Sequence, residues 1–131
     1  MARYDKYNPI SGGFRAKSAI AWLTADVGKI FGVGLNTSGA VVKGAGNTGI
    51  VGAVVVNRPM AIGEVLDVMQ HGEIVDAFMS DGTTVLTAGT AYYFVVATGL
   101  LSAVATAQPK VGFTVEASRL VVRMAPAGSG A

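Results

Sequence analysis

The chain contains no cysteine and a single histidine, His71. The missing thiols exclude a disulfide scaffold, a thiolate zinc site, a cysteine nucleophile and an iron–sulfur cluster, and one imidazole excludes any two-histidine metal site. A Ser-His-Asp arrangement would have to be built on His71 alone, and no serine stands in a G-x-S-x-G elbow. Charge is scarce too: 14% of the 131 residues are Asp, Glu, Lys or Arg against 51% hydrophobic. An average soluble domain carries about 25% charge, so much of this surface must be small, neutral or covered. Purely apolar runs of membrane-spanning length are absent. The uncharged stretch from Gly82 to Pro109 is interrupted by glycines, threonines, Ser102 and Gln108, and reads as successive strands with no membrane association.

What is abundant is glycine, 18 residues against 4 prolines, scattered among valine, alanine and threonine without a collagen period. That composition suits short strands and tight turns, and the length suits one domain with one core. From Ser18 onward short apolar segments (SAIAWLT, KIFGV, GAVVK, IVGAVVV) recur at spacings of about 8 to 12 residues, the signature of an all-β sandwich or barrel. EVLDVMQ and EIVDAFM flank His71-Gly72, which reads as a two-residue hairpin connection. Helix is expected only as a short turn, near Ala25 to Lys29 or Ala61 to Val65. At the C-terminal end Val111, Phe113 and Val115 alternate with Lys110, Thr114 and Glu116, and Leu120, Val122 and Met124 alternate with Arg119, Val121 and Arg123. Period-2 alternation predicts that the first member of each set faces a core, here together with Trp22 and Phe94.

Residues 1–17 show neither periodicity, and Pro9, Gly12 and Gly13 would break either one. They read as an extended N-terminal arm, followed by a β domain over 18–124 and a flexible C-terminal tail over 125–131. Within the arm Arg3, Tyr4, Lys6, Tyr7, Phe14, Arg15 and Lys17 interleave aromatic rings with cations. The combination occurs where single-stranded nucleic acid stacks on aromatics, but no basic groove follows for a phosphate backbone. The favoured reading is therefore an arm that anchors its rings on a protein surface and finds that surface with its cations, with no specific nucleic acid.

The net charge of +2 is unevenly spread. Residues 1–30 hold five cations against two acids, whereas between Pro59 and Pro109 every charge is acidic: Glu64, Asp67, Glu73, Asp76 and Asp81. Lacking a D-x-D-x-D-G loop, these carboxylates read as a solvated face or as a patch that meets a basic segment, not as a metal site. Gly44-Ala45-Gly46-Asn47-Thr48-Gly49 matches G-x-G-x-x-G, but a β-branched run follows where a phosphate-binding helix is required, so it reads as a hairpin loop and no cofactor is expected. His71, with no nucleophile near it in sequence, reads as a turn residue and not as a general base. No enzymatic activity is expected. Met1 to Asn8 is polar and no apolar segment follows before Gly12, so no secretory signal is expected.

The order from Lys29 to Met124 resembles the capsid decoration, or cement, proteins of tailed bacteriophages. The resemblance rests on Gly63 to Val68 (GEVLDV), His71 to Val75 (HGEIV), Ala88 to Val95 (AGTAYYFV) and Val111 to Ser118 (VGFTVEAS), followed by the strand Arg119 to Met124. It implies a small β-barrel or β-tulip domain, made in the bacterial cytoplasm, that binds the outside of an icosahedral head and stabilises it against packaged DNA. The partners it implies are the major capsid protein and further copies of itself, commonly as a trimer, with neither cofactor nor catalysis. Other small β-rich phage proteins, a head–tail connector, a tail tube or a head-fibre base, form the alternative class, and a nucleic-acid-binding β-barrel is a third.

Overall fold

The computed structural model describes the backbone of residues 3–6 and the full structure of residues 12–106 and 108–124. Among the described residues, eleven strands form two sheets. One has six strands: β1 (Arg3–Lys6), β7 (His71–Val75), β11 (Arg119–Arg123), β10 (Lys110–Glu116), β8 (Ala91–Phe94) and β9 (Leu101–Ser102), in that spatial order. The other has five: β2 (Gly13–Lys17), β6 (Val65–Met69), β5 (Gly52–Val55), β3 (Ile30–Leu35) and β4 (Val41–Gly46). Beyond Gly12, the helical part of the described residues is a single 3₁₀ turn at Thr24–Asp26. The all-β expectation holds.

The five-stranded sheet is buried on both faces, which explains why its central strands read as continuous apolar runs. On one face Ile30, Ala53, Val55 and Met69 join Ile74, Tyr92, Phe94, Val111, Leu120 and Val122 of the other sheet in the core between the layers. On the opposite face Phe31, Val33, Val54, Leu66 and Val68 pack with Trp22, carried by the segment after β2. The core is thus divided in two, and Trp22 and Phe94 lie on opposite sides of one sheet, not in one cluster. Trp22 is anchored by its indole N–H, which donates to the buried Ser18 hydroxyl at 2.8 Å. Lys43 closes this outer cluster: its ammonium stands 4.5 Å from the Phe31 ring centroid and 3.1 Å from Asp26 Oδ2.

The two sheets close into a barrel-like body at two places. At Gln70 the chain passes from β6 in one sheet straight into β7 in the other, so His71-Gly72 is not a hairpin and β6 and β7 are not paired. His71 instead opens β7 opposite Arg123. At the other seam Gly32 N–H donates to Gly99 O at 2.7 Å and Ala45 N–H to Val96 O at 2.9 Å, tying β3 and β4 to the β8–β9 turn. Gly99 has φ +75°, and a Cβ there would lie 2.2 Å from Gly32 O, so the seam needs glycine. The G-x-G-x-x-G segment serves this closure. Gly44 ends against the carbonyls of Val96 and Ala97, and β4 and β5 lie on either side of β3 and do not form the expected hairpin.

Three further expectations are corrected. SAIAWLT is not a strand: it makes only isolated bridges, Ser18 to Val41 and Trp22 to Met60. Phe113 and Val115 are 42% and 49% exposed while Thr114 is 2% exposed, the reverse of the alternation read from sequence. The cause is a bulge in β10: Lys110 pairs with Tyr93 and Gly112 with Tyr92, leaving Val111 as an extra residue that shifts the phase of everything after it. Thr114 is tolerated inside because its hydroxyl accepts from Thr90 N–H and donates to Thr87 O. Leu120, Val122 and Met124 are buried as the sequence predicts, but so is Val121, 8% exposed, which the alternation had turned away from the core.

The third correction concerns the arm. Arg3–Lys6 pairs antiparallel with β7 and Gly13–Lys17 with β6, so both described parts of residues 1–17 are edge strands of the barrel itself. The reason is the bend at Gln70: Gly12 O accepts Gln70 N–H at 2.7 Å, and β1 and β2 pair with the strands on either side of that bend. The tail over 125–131 lies outside the described residues.

Candidate functional site

The described residues among the seven read as arm contacts are divided between the edges of the two sheets. Arg3, Tyr4 and Lys6 occupy β1, opposite Val75, Ile74 and Glu73, at the edge of the six-stranded sheet. Tyr7 lies outside the described residues. Phe14, Arg15 and Lys17 occupy β2, at the edge of the five-stranded sheet. Phe14 packs against the Trp22 cluster of its own domain. Arg15 Nε donates to Asp67 Oδ1 at 2.8 Å, and Lys17 is exposed opposite Val65. A ring and a cation assigned to a neighbour's pocket are thus engaged by this chain.

The acidic segment behaves in the same way. Asp67 meets Arg15, Glu64 meets Arg58 at 2.8 Å, and Glu73 meets Arg119 at 3.1 Å. The Arg58 guanidinium, then the Ala61 N–H, hold the Glu64 carboxyl below the usual carboxylate range, and Glu64 in turn raises Arg58. Asp81 accepts from Thr84 and Thr83 within one turn. Basic and acidic stretches of sequence therefore do find each other, but inside one subunit. Among the described residues no group of three or more carboxylate or imidazole side chains is placed to share a metal ion. No helix of the described residues is long and apolar enough to cross a membrane.

Two surface features remain. Where β5 and β6 splay apart after their one paired position, Ala53 with Met69, a cleft of about 240 Å³ opens, floored by Val54 and Leu66 and rimmed by Met60, Val65, Arg58 and Asp67. The larger feature is the outward face of the six-stranded sheet. Phe113 lies directly between Ala91 on β8 and Val121 on β11, and Val121 is opposite Glu73 on β7. Val115 extends this apolar stripe, while Arg119 bridges Glu73 and, at 3.5 Å, Glu116 at its margin. An exposed aromatic beside an arginine network is the composition of a protein-binding surface. Sequence alternation missed it by burying Phe113; the signal was Gly112, since glycine inside a strand pattern marks a bulge or a close backbone approach.

The architecture is that of an all-β, two-sheet barrel whose candidate site is a surface and not a pocket. No protein-family model matches the chain, and no curated protein matches it. Among solved structures, a chain from Mycobacterium phage Patience is similar at a TM-score of 0.83, with 22% sequence identity, over 95% of this chain and 96% of that chain. The likeness establishes that the two share a fold along nearly their whole lengths.

Proposed function

We propose that this chain is a structural virion protein of a tailed bacteriophage that binds the outer surface of the icosahedral head and stabilises it against the pressure of packaged DNA. The observation that carries the reading is the fold shared with a phage chain along nearly its whole length, on a sequence that places GEVLDV, HGEIV, AGTAYYFV and VGFTVEAS at β6, β7, β8 and β10. The barrel supports it physically. A rigid body of this size with an exposed apolar stripe adds buried area across the boundary between head subunits, and the gain repeats at every lattice site. The role is non-enzymatic, its partner is the major capsid protein, and further copies of the chain join it, as a trimer.

Electron cryomicroscopy of virions carrying the chain tests this directly. Density for the barrel on the head exterior is the expected result. Density at the head–tail junction, along the tail or at a fibre base would replace the head-stabilising role by one of those. Heads assembled without the chain should release DNA at a lower temperature and recover when it is added back.

A further inference from the structure

The six-stranded sheet carries a row of polar side chains at one end of its outward face. Gly112 is level with Val122 on β11 and with Tyr92 on β8, and Lys110 is the partner of Tyr93. Lys110 on β10 and Arg123 on β11 both lie just beyond the Gly112–Val122 pair, at the same end of these antiparallel strands, and Arg123 pairs with His71. Tyr93 pairs in turn with Ser102. His71 and Arg123, and Lys110, Tyr93 and Ser102, thus lie at one end of five adjacent strands, in a direction where strands lie about 4.8 Å apart. Their neighbours in sequence, Val122, Val111, Tyr92, Phe94 and Leu101, point into the core, so this row points outward.

Lys110 and Arg123 are both exposed. Among the described residues neither has a carboxylate partner, and Arg123 donates only to the carbonyls of Gly72 and Val122. Arg15, Lys43, Arg58 and Arg119, by contrast, each have one. Two exposed cations without a carboxylate partner, at one end of adjacent strands, attract an external anion. The next row along the strands is Glu73, Val121, Phe113 and Ala91, largely apolar. A phosphate backbone requires continued cations there and meets a phenyl ring and a carboxylate instead.

We infer that the outward face of the six-stranded sheet is the surface that docks on the head, and that it takes a protein surface on which paired carboxylates border apolar side chains. The carboxylates meet Lys110 and Arg123, and the apolar part covers the exposed Phe113 and Val115. This rests on the head-binding reading above and specifies the face and the partner's chemistry.

The test uses the full chain and heads assembled without it, in a binding titration at low and high salt. The variants are Lys110→Glu/Arg123→Glu, the neutral pair Lys110→Gln/Arg123→Gln in case the reversal disturbs folding, Phe113→Ser, and Lys29→Glu just before β3. Charge reversal should weaken low-salt binding by about tenfold or more and remove its salt dependence, with the neutral pair intermediate. Phe113→Ser should weaken binding at both salts, and Lys29→Glu should match the parent. Zero-length carbodiimide coupling on decorated heads should join the Lys110 amine to an Asp or Glu of the head protein, the amide's water being taken up by the carbodiimide. If the parent binds but both pair variants bind equally tightly, the docking face is wrong while head binding stands. If the parent binds no heads, both readings fall. If a short DNA duplex binds the parent and not the charge-reversed chain, the row serves phosphate and the protein partner is wrong.

Discussion

Gln70 donates its side-chain amide to the carbonyl of Val51 at 3.0 Å, from the one residue that separates β6 from β7. Its own N–H goes to Gly12 O and its own carbonyl accepts Met124 N–H, so segments from both ends of the chain and from the centre meet at one corner. Replacing Gln70 by alanine strands the Val51 carbonyl in a half-buried site. The expected cost is about 1 to 3 kcal/mol, read as a shift in urea midpoint with unchanged slope. An unchanged midpoint would show that the corner is held by backbone bonds alone.

Phe94 and Phe113 are expected to differ sharply on truncation although both sit in strands of one sheet. Phe94 is fully buried between the layers, so Phe94→Ala should cost about 3 to 5 kcal/mol. Phe113→Ala removes an exposed ring that contributes only cross-strand contacts to Ala91 and Val121, about 0.2 to 1 kcal/mol. Equal costs in chemical denaturation would contradict the bulge that turns Phe113 outward.

That contrast shows what the sequence could and could not disclose. The alternation of Leu120, Val122 and Met124 was legible because β11 is regular against β7 over all five residues. The β10 alternation was not, since its phase depends on a single extra residue, Val111, whose only local mark is Gly112. A Cβ on Gly112 would lie 1.8 Å from Val121 O. The apolar run IVGAVVV was legible as a strand, but not that both its faces are buried, with a separate cluster on each side. The attraction between the basic N-terminal stretch and the acidic middle was legible; that Arg15 satisfies it with Asp67 of the same chain was not, because nothing local shows that β6 passes into a second sheet. The docking face was hidden for the same reason as Phe113: the bulge at Val111 sets which side chains of β10 point outward.

Gly99→Ala and Gly39→Ala separate backbone strain from steric closure. Both glycines hold a left-handed φ, +75° and +78°, so each substitution carries a conformational cost of about 1 kcal/mol. A Cβ at Gly39 meets nothing within 4 Å, whereas one at Gly99 meets Gly32 O and Gly44 N where the sheets join. Gly99→Ala should therefore be the more destabilising in a thermal melt, with amide exchange accelerated at Gly32 and Ala45, whose bonds to Gly99 and Val96 it displaces. Equal melting temperatures would mean that the seam does not contribute to closure.

Asp81 supplies the clearest pH signature in the molecule. Its carboxylate accepts from the Thr84 hydroxyl and from the N–H groups of Thr84 and Thr83, and these donors pull its pKa down from 3.8 to about 2. A depressed value means that the ionised form is favoured in the folded turn. Its contribution is complete above the unfolded value near 3.8 and is lost as pH falls through about 2. Between those limits the turn, otherwise held by Gly82 N–H to Met79 O and Met79 N–H to Thr84 O, should open progressively while the barrel stays intact. Thr84→Val deletes the leading donor but leaves both N–H groups, so the Asp81 midpoint should rise toward 3.8 without reaching it. A carboxyl ¹³C NMR titration of the two proteins decides the matter: an Asp81 midpoint still near 2 in the valine variant would assign the shift to the backbone amides and leave the hydroxyl no part in it.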